Sequence, residues 1–221
     1  MLPLTLKVDS VQLSFNDRKI LQGVYLECSQ GQIVGLLGRN GSGKSSLLKI
    51  IFGSLTPSYK YVSINNEFIN KGYIDNRIAY LPQHNYLPHG IKIKNLARML
   101  VDKSDWDEIA ELPIFKDHCH KTAGQLSGGE LRILETLLVL YNKADFILLD
   151  EPFTHISPVQ AEFFKPLLKA VAQKKGIIIT DHQYYNVLDV CHQTMILEDG
   201  YIKPVNHIDE LVTYHYLSGI N

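Results

Sequence analysis

The densest chemistry in the chain lies in Gly38–Ser46, GRNGSGKSS. This run fits G-x-x-x-x-G-K-[ST], in which glycines let backbone N–H groups curl around phosphate oxygens and the lysine reaches the β- and γ-phosphates. Gly38, Arg39, Asn40, Gly41, Ser42, Gly43, Lys44, Ser45 and Ser46 are therefore candidate ligands of ATP, with the Ser45 hydroxyl a candidate ligand of Mg²⁺. A second stretch, LLDEPFTHISP (Leu148–Pro158), ends an apolar run in two adjacent carboxylates, Asp150 and Glu151. It reads either as the metal-and-water machinery of a nucleotide hydrolase or as a buried strand that ends in acids.

The elements around these residues are those the chemistry needs. QIVGLL before the glycine loop reads as a buried strand and SLLKIIFG after it as a helix, whose positive dipole end faces the same anion. Leu4, Leu6 and Val8, then Val11, Leu13 and Phe15, alternate with period two, and VYLEC reads as a further strand. KYVSINNEFI predicts a hairpin around Asn65-Asn66. From Ile91 to about Cys119 the pattern is helical, with Ser104 expected as an N-cap and Asp107 at its third position. Helix, strand, helix and strand follow over Gly129–Tyr141, Phe146–Asp150, Pro158–Ala172 and Gly176–Thr180. Ser157, Pro158 and Gln160 have the residue types of N-cap, N1 and N3 of a capping box. The alternation predicts an α/β fold.

Bulk properties exclude several classes. With 221 residues and 45% apolar content the chain suits one large domain. Its 22 basic and 23 acidic residues give no electrostatic case for direct nucleic-acid binding. The three cysteines, Cys28, Cys119 and Cys191, are widely spaced, which points to a reducing cytosol rather than a disulfide framework. MLPLTLKVDS has no targeting pattern, and LLVLY and FILLD are far shorter than the ~18 residues of a membrane span. Any membrane association is expected through a partner. NKAD (Asn142–Asp145) matches a guanine-reading motif but precedes its strand instead of following one, and no D-x-x-G occurs, so it reads as a turn. The cluster His118-Cys119-His120 reads as no metal site, since adjacent residues point apart and no fourth ligand is evident.

LSGGE (Leu126–Glu130) discriminates among the nucleotide-binding possibilities. Taken with the glycine loop, YLPQ, FILLD-Glu151 and TDH in that order, it resembles the ATP-binding cassette (ABC) family over nearly the whole chain. The resemblance implies a P-loop NTPase: a RecA-like core with a mixed sheet, an N-terminal antiparallel β region and a small α-helical subdomain. On it, residues 1–221 form one nucleotide-binding domain, with about 1–84 and 123–221 as ATP-binding core and about 85–122 as helical subdomain. It also implies residue roles. Phe15 stacks on adenine, Gln83 touches Mg²⁺ and the attacking water, Asp150 holds Mg²⁺ and Glu151 is the general base. His182 contacts the γ-phosphate, while Ser127, Gly128, Gly129 and Glu130 read ATP held by the opposite subunit. Asp150 and Glu151, adjacent on a strand, are expected to point to opposite sides of it.

The implied protein is a transport ATPase that dimerises head to tail on ATP, as a homodimer or with a second cassette, and drives separate transmembrane permease subunits. It would sit in the cytoplasm, peripheral on the inner face of the cell membrane, docking through about Gln83–Met99. The alternative is a soluble ABC ATPase acting on a macromolecular complex, against which stand the single cassette and the lack of basic or coiled-coil extensions. A non-hydrolysing module is opposed by Lys44, Asp150, Glu151 and His182. Three departures from the family pattern stand out. Leu131 and Leu138 replace common arginines, Ser157 replaces an aspartate that couples the two sites, and the stretch between Gln83 and Ser127 is short. The closing VTYHYLSGI has a faint likeness to the ending of lipopolysaccharide-export and branched-chain-amino-acid cassettes.

Overall fold

The computed structural model describes residues 3–214 and 216. Leu217–Ile220 of the closing stretch lie outside the described residues.

Two sheets and a helical layer make up the fold. β1 (Thr5–Phe15) and β2 (Arg18–Ser29) form a long antiparallel hairpin, joined by β4 (Tyr59–Ile64) and β5 (Glu67–Phe68) in the order β2-β1-β4-β5. The second sheet has the order β10-β9-β3-β8-β7-β6. It contains β3 (Ile33–Leu37), β6 (Ile78–Leu81), β7 (Phe146–Asp150), β8 (Gly176–Thr180), β9 (Gln193–Glu198) and the antiparallel edge strand β10 (Tyr201–Val205). Pro204 is tolerated there because an edge strand has one side without ladder partners. Among the described residues the fold is therefore the expected α/β arrangement, with a mixed sheet and an antiparallel β region.

β1 shows how sequence phase becomes geometry. The apolar alternation slips between Val8 and Val11, and there the register moves three residues on β1 against two on β2 (Val8 opposite Leu26, Val11 opposite Val24). The extra residue is a bulge, with Ser10 at φ 54°. The expected hairpin at Asn65-Asn66 is present between β4 and β5, both asparagines adopting positive φ (48° and 68°) as a primed turn requires.

The parallel strands sort their side chains by parity. Ile147 and Leu149 of β7 and Ile177 and Ile179 of β8 pack with α5 (Gly128–Leu140) and α6 (Pro158–Ala172). Phe146, Leu148 and Ile178 face the opposite way, onto α1 (Lys44–Phe52) and the antiparallel sheet. α7 (Tyr184–Val190) and α8 (Glu210–Thr213) complete the fold, Val187 and Leu211 joining the first core.

The helical run expected from Ile91 to Cys119 is broken into α2 (Ile93–Leu100), α3 (Trp106–Glu111) and α4 (Pro113–His118). Val101 is extended and pairs with Asn142, which ends α2, and Pro113 is acceptable only at a helix start, which separates α3 from α4. Ser104 is not an N-cap. Asp102 plays that part, its carboxylate accepting from the Ser104 N–H at 2.9 Å and hydroxyl at 3.0 Å, so Ser104 lies inside a 3₁₀ turn over Lys103–Asp105. Ser104 is the donor of both bonds, so its hydroxyl is engaged by Asp102 and caps no amide of α3.

Candidate nucleotide-binding and hydrolysis site

The glycine loop leaves the carboxyl end of β3 and enters α1 through Gly43, whose φ of 110° is left-handed. A Cβ at Gly43 would stand 2.8 Å from Ile20, so glycine is needed both for conformation and for space. Lys44 is buried, and its ammonium donates to the carbonyls of Gly38 (2.6 Å) and Arg39 (3.1 Å). Burial pushes its pKa down, while Glu151, Asp150 and Asp181 pull it back up. The Ser42 hydroxyl is buried in the loop without a hydrogen-bond partner. An unpartnered buried donor beside a helix start is a feature that a bound phosphate oxygen would satisfy.

Asp150 ends β7 with the parity of Phe146 and Leu148, so its carboxylate falls on the α1 side. There Oδ1 accepts from the Ser45 (3.0 Å) and Thr180 (2.9 Å) hydroxyls, and Oδ2 accepts from the Tyr80 hydroxyl at 3.0 Å. Strand alternation would send Glu151 to the other face, as expected from the sequence. It does not go there. The strand stops at Asp150, and Glu151 turns through φ 55°, a left-handed conformation costing on the order of 1–3 kcal/mol in a residue with a Cβ. Its carboxylate instead faces the cavity that Lys44 and Ser45 line. Oε2 accepts from Gln83 Nε2 at 3.0 Å and from the Thr154 hydroxyl at 3.3 Å, and lies 3.6 Å from His182 Nδ1.

That cavity, of about 710 Å³, is lined by Phe15, Asn40, Gly41, Gly43, Lys44, Ser45, Ser46, Gln83, Glu151 and His182, with Ile20. Phe15, at the end of β1, leaves 51% of its surface exposed on the rim. A neighbouring cavity of about 560 Å³ takes in Arg39 and Ser42. The tertiary fold thus brings together residues from five separate segments of sequence. Ser127–Glu130 are not among them. Ser127 instead caps α5, its hydroxyl accepting from Glu130 N–H at 3.3 Å while Glu130 Oε2 accepts from Ser127 N–H at 2.8 Å. Gly129 abuts the His155 carbonyl, where a Cβ would come within 2.9 Å.

Four contributors were not singled out in the sequence. Tyr80 and Thr180 hold Asp150, and Asp181, wholly buried, accepts from the Phe153 and Gln183 N–H groups at 2.9 and 2.8 Å. The buried Arg132 donates to the carbonyls of Pro82 (2.8 Å), Asp150 (2.5 Å) and Glu151 (3.0 Å). A charge at position 132 inside the apolar run LRILETLLVL, with an acid three residues on, was the available signal for it. Leu131 and Leu138, in place of arginines, are core residues of the same helix. Ser157 forms the expected capping box, its N–H donating to Gln160 Oε1 at 2.8 Å and its hydroxyl accepting from Gln160 N–H at 3.3 Å. Asn142–Asp145 is a turn at the amino end of β7, remote from the carboxyl ends that carry the site, with Asp145 paired to Arg77 at 3.1 Å. His118 faces Glu130 at 3.3 Å.

Comparisons with known proteins agree with this geometry. The family model described as ABC transporter matches residues 21–154, more than half of the chain. The lipopolysaccharide export system ATP-binding protein LptB of Haemophilus influenzae is 32% identical over 213 residues, covering 89% of this chain and 88% of the relative. The protein of the same name from Escherichia coli strain K12 is 30% identical, covering 90% and 88%. An uncharacterized ABC transporter ATP-binding protein of Bacillus subtilis, YhaQ, is 29% identical, covering 90% and 70%. Among solved structures, an ATP-binding subunit of an ABC transporter superposes with a TM-score of 0.79 at 21% identity, over 98% of this chain and 95% of the other, which is likeness of fold. A family match over residues 21–154, set on a phosphate loop and an acid pair that share one cavity, makes the chain a member of the ABC transporter family, carrying its ATP-binding, ATP-hydrolysing cassette.

Proposed function

We propose that this cassette hydrolyses ATP with Glu151 as general base and that the work drives transmembrane subunits supplied by other chains. The observation that carries the reading is the single cavity in which the glycine loop, Gln83, Glu151 and His182 meet. Phosphoryl transfer spreads charge over the γ-phosphate oxygens, so positioning and electrostatics carry most of the catalysis. Phe15 offers its exposed ring to the adenine. The loop N–H groups and Lys44 hold the phosphates, Lys44 exchanging its Gly38 and Arg39 carbonyls for phosphate oxygens. Glu151, oriented by Gln83 and Thr154, takes the proton from the attacking water, and His182 meets the γ-phosphate from the other side.

The Ser45 hydroxyl, the Asp150 carboxylate and the Gln83 amide oxygen are hard oxygen donors suited to Mg²⁺. Held there, Mg²⁺ would supply neutralisation of the charge that develops on the phosphates. Ser127, Gly128, Gly129 and Glu130 lie apart from their own chain's cavity, which supports an arrangement in which they complete the site of a facing copy or of a second cassette. ATP then joins two cassettes and hydrolysis releases them.

Docking on the permease uses the segment of about 85–122, acting as the helical subdomain, against the core of about 1–84 and 123–221. At the carboxyl end of α2 lies a small cavity of about 180 Å³ lined by Phe52, Tyr73, Tyr80, Tyr86, Leu100 and Leu138 among others, room for one apolar side chain of a partner helix. It borders the expected Gln83–Met99 surface. Through that docking the cassette sits as a peripheral subunit on the inner face; among the described residues no helix is long and apolar enough to cross a membrane. The deciding experiment is Glu151→Gln: ATPase falls by about 10²–10⁴-fold, the span of a lost general base, while ATP still binds and holds the cassettes as a dimer. Near-normal turnover in that variant refutes the assignment.

A further inference from the structure

α5 does more than present Ser127–Glu130 at its start. One turn in, Arg132 is buried, its side chain 2% exposed, and its guanidinium spans three backbone carbonyls, Pro82 on one side and Asp150 and Glu151 on the other. One further turn along, Glu135 is wholly buried, and its Oε1 accepts from the N–H groups of Tyr86 (2.7 Å) and Leu87 (3.2 Å). The two side chains lie 3.6 Å apart, and Glu135 Oε2 has no hydrogen-bond partner of its own. Between their attachment points lies Gln83. Pro82 is gripped by the arginine and Tyr86 and Leu87 by the glutamate, so both ends of the segment 82–87 are fastened to one helix. The same arginine fastens Glu151, whose left-handed backbone must be held by its surroundings.

We infer that Arg132 and Glu135 form a positioning clamp that couples the start of α5 to Gln83 and Glu151 of the same chain. A helix moves as a body, so whatever shifts Ser127–Glu130 also moves the carbonyls of 82, 150 and 151 and the amides of 86 and 87. Arginine suits this because its planar fork can hold several acceptors in fixed directions, which a lysine ammonium cannot. Burial pushes the Glu135 carboxyl up, and the two amide donors and the guanidinium pull it back. A buried pair of this kind is weak evidence for stability alone and stronger evidence for fixing one geometry. The inference rests on the proposed roles of Glu151 and Gln83.

The test uses the full chain with ATP and Mg²⁺ and three variants, Arg132→Lys, Glu135→Ala and Glu135→Gln. Thermal melts give the folded fraction. Turnover per folded molecule falls about 10- to 100-fold in the first two, the scale of a misplacement near 1 Å, while equilibrium ATP affinity stays within about twofold. Hydrogen exchange at the Tyr86 and Leu87 amides accelerates in Glu135→Ala. Glu135→Gln, which keeps an acceptor for both amides, recovers most of that loss. Turnover per folded molecule within about twofold of the parent, or a loss that lies wholly in ATP affinity, overturns the clamp. If Arg132→Lys does not fold, the two Glu135 variants decide the matter by the same criteria. Glu151→Gln measured alongside separates the two ideas. Full activity there refutes the base, whereas its inactivity beside fully active clamp variants refutes only the clamp.

Discussion

Removing one hydroxyl tests how the metal-side carboxylate is held. Tyr80→Phe deletes the donor to Asp150 Oδ2 and leaves the ring, which packs against Phe52 at a centroid distance of 5.4 Å, in place. A hydrogen bond to a charged group contributes about 1.5–3 kcal/mol. Asp150 keeps the Ser45 and Thr180 hydroxyls as donors when the Tyr80 hydroxyl is removed, so the lower half applies, about 1.5–2 kcal/mol. In a chain of this size each kcal/mol moves the melting temperature by about 2–4 °C, which places the expected fall at roughly 3–8 °C. Differential scanning calorimetry reads it, with Asp150→Asn as the second edge of a double-mutant cycle. In that background the acceptor is neutral and the cost of Tyr80→Phe drops by about half or more. A fall below about 1 °C, or an equal fall in both backgrounds, refutes the reasoning, since the hydroxyl would then be contributing nothing through Asp150.

Ser157→Asp keeps an oxygen at the cap of α6, so stability changes by less than about 0.5 kcal/mol, whereas Ser157→Ala costs about 1 kcal/mol. With the charge restored two residues from His155, whose carbonyl Gly129 abuts, ATPase rate or cooperativity changes; a steady-state assay showing neither would make the serine a neutral replacement. Hydrogen bonds from the Ser127 N–H and hydroxyl hold Glu130 below its ordinary value of 4.5. Because the folded value is the lower one, the stabilisation is complete above about pH 4.5 and is lost as pH falls through the depressed value. Amide protection at the start of α5, measured as the intrinsic exchange rate over the observed rate at each pH, therefore falls as the solution is acidified from about pH 5.5 to 3.5, and Glu130→Gln flattens that dependence. An unchanged profile in the variant would rule out Glu130 as the titrating group.

The positions of the phosphate loop, the acid pair and the capping box at Ser157 were legible because each is a local device. Gly43 needs its left-handed φ within one turn of the helix it opens, and Ser157 reaches only as far as Gln160. The breaks at Val101 and Pro113 were less legible. An amphipathic pattern persists across them, and only the pairing of Val101 with Asn142 shows where α2 must stop. β6, β9 and β10 went unmarked, since none is the unbroken apolar run that marked β3, β7 and β8, and β6 is the strand that delivers Tyr80 and leads into Gln83.

By itself the sequence determined which chemistry the chain carries, because phosphate recognition depends on glycines, a lysine and a helix start that are neighbours in the chain. It also determined that the strand over Phe146–Asp150 ends in one acid, with a second, Glu151, directly after it. Tertiary structure alone decided where Glu151 points. Strand parity, a local rule, sends it away from Ser45, and the turn at φ 55°, held by Arg132 from a helix nineteen residues earlier, brings it back beside Gln83 and His182. Such contacts join segments that no local pattern relates. They form only when β6, β7 and β8 lie side by side and α5 packs across their ends.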